Sequence, residues 1–105
     1  MRGPFPLQPL TIGMHVPFGR PGVYCLAKKP GAVNRVGRAE QDLRLSLKSY
    51  IGKYPFFWFE PAMSSDESYA TCCRLYHKYA ELDTLDDRIH PAPEKPGQKC
   101  PVCGS

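Results

Sequence analysis

A chain of 105 residues with 42% hydrophobic and 23% charged residues has the size and composition of one small globular domain, so we expect these residues to form one domain rather than two. The net charge of +4 permits an anionic partner without requiring one. No stretch has the form of a membrane span or a secretory signal, so we expect a cytoplasmic protein with no membrane partner. The five cysteines are then expected to be metal ligands or core residues rather than disulfide partners.

The twelve prolines cluster at the two ends of the chain. Proline fixes its own backbone and lacks an N–H donor, so proline-rich ends favour extended structure. We therefore expect an extended, proline-rich N-terminal arm over residues 1–20. Residues 21–105 are expected to form a single folded domain.

The domain begins with the pattern of a β-hairpin. Residues 22–27 form an apolar, β-rich run, and residues 32–37 form a second short run of the same kind. A Lys-Lys-Pro-Gly turn signal separates the two runs. Two strands so close in sequence are expected to pair antiparallel.

Residues 41–51 change to a helical period, with Leu43, Leu47 and Tyr50 on one face and Gly52 at the end. Residues 56–60 then predict a third strand. Its unbroken aromatic run indicates a central strand that is buried on both faces, with the rings in the core rather than stacked on bases.

Ser64 and Glu67 have the spacing of a capping box, which predicts the start of a second helix. Apolar residues and cysteines then recur at helical spacing, with Cys72 read as a core residue, as is Cys25 in the first strand. The order of elements predicts an α+β fold, in which helices pack on a small mixed or antiparallel sheet.

Two tripeptides in the hairpin, Gly22-Val23-Tyr24 and Arg35-Val36-Gly37, resemble the signature strands of the GIY-YIG nucleases. The element order and Asp42-Leu43-Arg44 at the next helix extend the resemblance over residues 22–77. The later Leu-Tyr-His, His-Pro and Cys-Pro-Val-Cys segments are similar to a subgroup of small microbial members. The resemblance implies a GIY-YIG-like sheet, made of the hairpin plus a third strand, with helices beside it.

The resemblance also implies a one-metal hydrolysis of phosphodiesters. In the family, tyrosines help to activate water, an arginine stabilises developing charge, and a glutamate holds a divalent cation. Of these positions only Tyr24 keeps the family's residue. Arg35 stands at the position of the second tyrosine, Ser46 at that of the arginine and Cys72 at that of the glutamate. Loss of one such group typically costs about two to three orders of magnitude in rate. The pattern therefore favours a protein without the usual nuclease activity.

The tail carries a candidate metal site. Cys100 and Cys103 form a Cys-x2-Cys pair, which is half of a common structural zinc site. His77 and His90 are available to complete a four-ligand set. In a rival set Cys73 replaces His90, since Cys73 lies one turn before His77 on the same helix face. Zinc would pin the polar tail to the second predicted helix, whereas the alternative is a tail without metal.

The positive charge is concentrated in residues 28–53, which predicts a nucleic-acid-binding face, most directly for DNA. The predicted phosphate contacts are Arg35, Arg38, Arg44, Lys48 and Lys53. One alternative is a divergent metal-dependent DNA endonuclease, which would need Mg²⁺ or Mn²⁺. If the first predicted helix aligned with the family two residues away from the register used above, Arg44 or Lys48 would face the site of this enzyme. The other alternative is a protein-binding subunit of a larger complex, which would use the proline-rich arm.

Overall fold

Residues 1–86, 90–93 and 97–104 are described by a computed structural model, and they form an α+β fold. In chain order the elements are β1 (Arg2–Pro6), α1 (Pro9–His15), β2 (Gly22–Ala27), β3 (Arg35–Ala39), α2 (Leu43–Lys48), β4 (Phe56–Pro61) and α3 (Ser65–Glu81). The strands form one antiparallel sheet in the order β1-β4-β2-β3. The predicted α+β class, with helices on an antiparallel sheet, is confirmed. None of the described helices is both long enough and apolar enough to cross a bilayer.

Strands β2 and β3 form the predicted hairpin, in which Tyr24 pairs with Gly37. The second strand begins at Arg35 rather than at residue 32. The reason is a side-chain contact across the turn, because Asn34 Oδ1 accepts a hydrogen bond of 2.8 Å from the backbone N–H of Lys28. This contact keeps Asn34 in the loop.

The glycine of each signature tripeptide is required by a close approach. A Cβ atom at Gly37 would collide with the Tyr24 ring, which lies directly over that glycine. A Cβ atom at Gly22 would lie 2.5 Å from the carbonyl oxygen of Glu60 and 2.5 Å from Cδ1 of Leu43. The two tripeptides thus set the position of the tyrosine ring and let β2 and α2 pack closely.

Strand β4 is an interior strand, as predicted, but it is fully buried on only one face. Phe57 and Phe59 are buried, whereas Phe56 and Trp58 are half-buried. The prediction of burial on both faces was wrong because α1 and α2 cover one face of β4, while an open cavity of about 390 Å³ reaches Trp58.

The first face of the sheet carries the larger apolar core. Tyr24, Leu26, Phe57 and Phe59 project from the strands against the helices. The cluster is completed by Leu7, Ile12, Val16, Ala39, Leu43 and Leu47. Full burial of each large side chain contributes about 1.5–3 kcal/mol, so this face supplies most of the hydrophobic stabilisation.

Helix α2 is shorter than predicted. It begins after Asp42, whose carboxylate accepts a hydrogen bond of 3.0 Å from the backbone N–H of Arg44. It buries Leu43 and Leu47, and it gives way after Lys48 to turns that end near Gly52, at a φ of +88°. The residues after Lys48 still contact the core through Tyr50 and Ile51, but Gly52 in the left-handed region ends the helical path.

Helix α3 starts as predicted. The Ser64 side chain accepts a hydrogen bond of 3.1 Å from the backbone N–H of Glu67. The helix packs against β2 and β3 and buries Tyr69, Cys72 and Cys73. Cys25 and Cys72 are buried, as predicted for core residues.

The N-terminal region differs from the prediction of an extended arm over residues 1–20. Strand β1 pairs with β4, and residues 9–15 form a helix that buries Ile12. Proline is tolerated in the first helical turn because its missing N–H has no partner there, so Pro9 starts α1 instead of preventing it. Leu7, Ile12 and Val16 are buried in the main core and join this segment to it.

Candidate metal centre and cationic cluster

The four residues predicted as metal ligands lie together at the end of α3. His77 projects from the helix, and His90, Cys100 and Cys103 come from the tail. Their nitrogen and sulfur atoms all lie within 4.8 Å of one another. Among the described residues, no second group of three or more His, Cys, Asp or Glu side chains is this compact.

The measured separations agree with a tetrahedral site. The Nε2 atoms of His77 and His90 are 3.2 Å apart, and Cys103 Sγ lies 3.4 Å from His90 Nε2. Bonds of about 2.0–2.3 Å to a tetrahedral ion require ligand separations of about 3.3–3.8 Å. Two of the separations are thus close to those of a tetrahedral site, and the four ligand atoms, all within 4.8 Å of one another, are near enough to share one ion.

The His90 ring is oriented by a second contact. Its Nδ1 atom lies 2.8 Å from the carbonyl oxygen of Pro91. In the tautomer whose Nδ1–H donates to that carbonyl, the Nε2 lone pair faces the cluster. Such a contact is the usual way in which a histidine ligand is held in the correct orientation.

Cys100 is the buried member of the group, with 2% of its surface exposed. Burial alone would raise the pKa of its thiol. The pKa is nevertheless lowered to about 6, because the thiolate accepts hydrogen bonds from the backbone N–H groups of Cys103 and Val102 and interacts with the His90 and Cys73 side chains. Cys100 is therefore readily available as the thiolate that metal binding requires.

Cys73, the reserve ligand in the rival set, lies behind Cys100 and outside the four-ligand group. It is buried and packs against Tyr69 and Cys100. Burial is the largest of the causes that raise the pKa of its thiol to about 11. Cys73 is thus positioned to support Cys100 through a thiol contact, while His90 belongs to the group of four side chains that could hold a metal ion.

Other contacts also attach the tail to the body. The Arg38 guanidinium donates a hydrogen bond of 2.9 Å to the Ala92 carbonyl, and Gln98 Nε2 donates one of 2.6 Å to Asp66 Oδ1. These are polar, mostly exposed contacts. The apolar cluster here consists of Tyr69, Cys73 and Cys100 among the described residues. Apolar burial therefore contributes much less to this region than to the opposite face.

The five predicted phosphate contacts do not form one face. Arg35 and Lys53 lie together at Tyr50: the Arg35 guanidinium carbon is 5.2 Å and Lys53 Nζ is 5.8 Å from the ring centroid. Arg35 Nε also donates a hydrogen bond of 3.1 Å to the Tyr50 hydroxyl. We call Tyr24, Arg35, Tyr50 and Lys53 the cationic cluster, since the Tyr24 and Tyr50 rings lie 5.9 Å apart.

Arg38 and Arg44 lie elsewhere, which corrects the prediction of a single basic face. Arg38 stacks over Tyr69 on the α3 side, at 5.2 Å from the ring centroid. Arg44 donates hydrogen bonds of 2.7 Å to the Val16 carbonyl and 3.0 Å to the Gly13 carbonyl, so it caps the end of α1. Lys48 is exposed in the last turn of α2.

Two positions that the resemblance aligns with catalytic residues carry buried groups that are neutral at neutral pH. Burial, with a smaller effect of Tyr50, raises the pKa of Tyr24 well above its usual value, so the phenol holds its proton at neutral pH. Burial likewise raises the pKa of the Cys72 thiol to about 12. A neutral thiol is a poor ligand for Mg²⁺, which prefers oxygen.

A polar cluster that the sequence did not predict adjoins the cationic cluster. Tyr54 donates a hydrogen bond of 3.1 Å to Asp86 Oδ2, and Lys28 Nζ lies 3.1 Å from the same oxygen. The sequence signal for Tyr50 was its place on the apolar face of a helix, and Tyr54 had no signal of its own. Asp86 could not be found, because its partners are distant in sequence.

Comparisons of the chain with protein-family models, with curated proteins and with solved structures found no match in any of the three.

Proposed function

We propose that the protein is a zinc-stabilised module with a GIY-YIG-like hairpin sheet, which binds nucleic acid at the cationic cluster and does not hydrolyse it by the family's mechanism. DNA is the nucleic acid that the resemblance favours. The metal centre holds the tail in place, and the cationic cluster makes the contacts to phosphate.

The observation that carries the binding function is the convergence of two cations beside Tyr24. Arg35 and Lys53 both contact the Tyr50 ring, and that ring adjoins the one tyrosine that matches the resembled family. Phosphate contacts by Lys and Arg supply most of the affinity of sequence-independent nucleic-acid binding. Two fixed cations at one site therefore favour a phosphodiester ligand.

The absence of hydrolysis is supported by the protonation states at the site. Burial raises the pKa of the Tyr24 phenol, which makes the deprotonated form that could act as a base rarer than in an exposed tyrosine. Cys72 offers a buried neutral thiol at the position where the family has its glutamate. With neither the base nor the oxygen ligand, the cluster retains attraction for phosphate but lacks the means to activate water.

Zn²⁺ is the ion that the donor set favours. Two imidazoles and two thiolates are a common tetrahedral zinc set, and four protein ligands leave no open position for substrate. The proposed role is therefore structural. We expect protein purified without chelator to hold one zinc ion per chain, measured by elemental analysis.

Two variants separate the possible ligand sets. His90→Ala is expected to abolish stoichiometric zinc, because it removes a ligand. Cys73→Ala is expected to keep one zinc per chain and to weaken affinity by about tenfold to a hundredfold, as is typical when a group that supports a ligand is lost. Full zinc in His90→Ala together with none in Cys73→Ala would establish the rival set.

Binding is tested by fluorescence anisotropy with a labelled DNA duplex over a series of salt concentrations. We expect log K to fall linearly with log salt, and we expect Lys53→Gln and Arg35→Gln each to reduce the slope by about 1. Arg74→Gln, which removes the same charge from the exposed surface of α3, serves as the control and should change the slope much less. An unchanged slope in both test variants would contradict the proposed site.

The same duplex, incubated with Mg²⁺ or Mn²⁺, tests the endonuclease alternative. We expect no cleavage. Cleavage that disappears in Tyr24→Phe would show that the divergent endonuclease is correct.

One observation favours a protein-binding role as a second candidate. Leu10, Met14 and Phe18 are 74%, 69% and 76% exposed, on and just after α1. Large apolar side chains that are exposed together often mark contacts with proteins. Two results together would support this candidate over the first. The protein would show no salt-dependent binding to DNA, and the variant Met14→Lys would no longer bind a protein that the wild type binds.

A further inference from the structure

The Asp86 carboxylate is held by two donors that would equally suit a phosphate oxygen. Its Oδ2 atom accepts the Tyr54 hydroxyl at 3.1 Å and lies 3.1 Å from Lys28 Nζ. Lysine ammonium groups and tyrosine hydroxyls are among the groups that contact phosphate oxygens in protein–DNA complexes. The carboxylate thus has both the charge and the acceptor geometry of a bound phosphate.

Backbone and amide contacts fix Asp86 in this place. Its backbone N–H donates a hydrogen bond of 2.7 Å to the Asn34 carbonyl. The Asn34 side chain donates one of 3.1 Å to the Thr84 carbonyl and accepts one of 2.8 Å from the backbone N–H of Lys28. The short segment that follows α3 is therefore docked on the β2–β3 loop independently of the Asp86 carboxylate.

The two donors continue the cationic cluster. Tyr54 interacts with Arg35, and Arg35 in turn donates to the Tyr50 hydroxyl. Burial and the adjacent Asp86 carboxylate raise the pKa of Tyr54 above its usual value, so its hydroxyl stays a donor at neutral pH. Lys28, Tyr54 and Arg35 are thus connected, because Lys28 and Tyr54 share the Asp86 carboxylate and Tyr54 interacts with Arg35.

We propose that Lys28 and the Tyr54 hydroxyl form an anion subsite for a phosphodiester oxygen of nucleic acid, and that the Asp86 carboxylate occupies this subsite until the nucleic acid displaces it. The proposal rests on the proposed function, since it extends the phosphate contacts of Arg35 and Lys53 by one position. It assigns Asp86 an autoinhibitory role.

The ion pair that closes the subsite is weak enough to be displaced. The Lys28 and Asp86 side chains are 62% and 36% exposed, and ion pairs that are open to solvent contribute little. DNA can use the subsite only in those molecules in which the carboxylate has left it. The apparent affinity for DNA is therefore the affinity of the open form multiplied by the fraction of molecules that are open. Removal of the Asp86 charge should therefore tighten binding of DNA by about threefold to tenfold, well short of creating a new site.

Asp86→Asn is the test variant, because it keeps the shape and an acceptor for Tyr54 while it removes the charge. Glu81→Gln is the matched control, since it removes one exposed negative charge at the end of α3. The probe is the labelled DNA duplex at a series of salt concentrations. We expect Asp86→Asn to bind about threefold to tenfold more tightly, with a slope of log K against log salt steeper by about 0.9, and Glu81→Gln to change affinity by less than about twofold.

A double substitution tests whether Lys28 is the group that is released. Lys28→Gln should weaken binding only slightly in the wild-type chain, where Asp86 already neutralises it. In the Asp86→Asn chain, the same change should cancel the gain in affinity and return the salt slope to its original value. Equal effects of Lys28→Gln in both chains would overturn the assignment of Lys28 to the subsite.

The outcomes separate this proposal from the proposed function. If neither the wild type nor Asp86→Asn binds DNA with a salt-dependent affinity, the proposed function fails and this proposal fails with it. If the wild type binds through Arg35 and Lys53 but Asp86→Asn binds no more tightly than Glu81→Gln, only the autoinhibited subsite is overturned. Inorganic phosphate that competes with DNA for Asp86→Asn, at concentrations with no effect on Glu81→Gln, would support the subsite, because the free anion would then occupy the position that a DNA phosphate takes.

Discussion

The main core and the tail are stabilised in different ways. The face covered by α1 and α2 buries ten residues in one apolar cluster, among them Phe57, Phe59 and Leu47. On the other side, where α3 meets the tail, the apolar cluster of described residues holds three: Tyr69, Cys73 and Cys100. The first region has enough buried surface to be stable without a ligand, whereas the tail depends on polar contacts and on the candidate metal centre.

This difference shows how a chain of 105 residues can hold a polar tail in place. Small domains bury a limited fraction of their surface, and a metal site supplies stabilisation that a second apolar core would otherwise have to provide. Perturbations of the two regions should therefore be separable: loss of metal should affect the tail, and cavities in the main core should affect global unfolding.

The largest effect is expected from removal of the metal. At a zinc concentration of about a thousand times Kd, binding adds about 4 kcal/mol to the free energy of unfolding, and this is lost in EDTA. Calorimetry with and without chelator measures the loss, and amide chemical shifts locate it. We expect the shifts to move at His77, His90, Cys100 and Cys103 and to stay in place at Phe57.

Cys100→Ser is the matching variant, because it removes one ligand and leaves a side chain of similar size. It should reproduce the effect of chelator, and the addition of EDTA should then change nothing further. Shift changes that extend across β4 and α2 would contradict the separation of the two regions.

A smaller effect is expected from Leu47→Ala, which leaves a cavity between α2 and the sheet. Leu47 is fully buried, and such substitutions cost about 2–5 kcal/mol depending on how far the cavity collapses; we expect about 3 kcal/mol. Denaturant unfolding measures this loss, and zinc content should stay at that of the wild type.

Leu45→Ala is the control, since it removes the same atoms two residues away from a side chain that is 68% exposed. It should change stability by less than about 0.5 kcal/mol. Loss of zinc from Leu47→Ala under native conditions would show that the metal centre depends on the main core.

The sequence predicted the local features of this fold well. The hairpin, the third strand and the cap at Ser64 were predicted because each depends on neighbouring residues. The four side chains of the candidate metal centre were also identified, because Cys-x2-Cys spacing is distinctive and few other candidates were present. Zinc itself, the nucleic-acid ligand and the GIY-YIG relationship stay predictions.

Long-range packing accounts for what the sequence did not give. The prediction for residues 1–20 failed because the number of prolines concealed the Ile12 and Val16 pair. The prediction of one basic face failed at Arg44 because its carbonyl partners lie in α1 and at the residue that ends it, and this helix had not been predicted. Arg35 and Arg38, by contrast, are three residues apart on one strand, and strand alternation already places such residues on opposite faces.

The smallest effect locates the boundary between the two regions. Ser64→Ala removes the side chain that accepts the Glu67 N–H, and loss of such a cap costs about 1 kcal/mol. Ser64→Asp should retain the stability, because aspartate caps equally well and adds a favourable charge at the helix start. Urea unfolding of the three proteins measures the difference.

The loss of stability in Ser64→Ala can be compared with and without zinc. This comparison decides whether α3 belongs to the metal-dependent region. Tyr69 and Cys72 bury the helix against β2 and β3, so we expect α3 to stay folded when the metal is removed. The cap then stabilises the apo and zinc-bound forms equally, and Ser64→Ala leaves the Kd for zinc unchanged. If metal binding were required to fold α3, the same 1 kcal/mol would weaken zinc binding by about fivefold. An unchanged Kd would therefore confine the metal-dependent region to the tail, with α3 as part of the permanent fold.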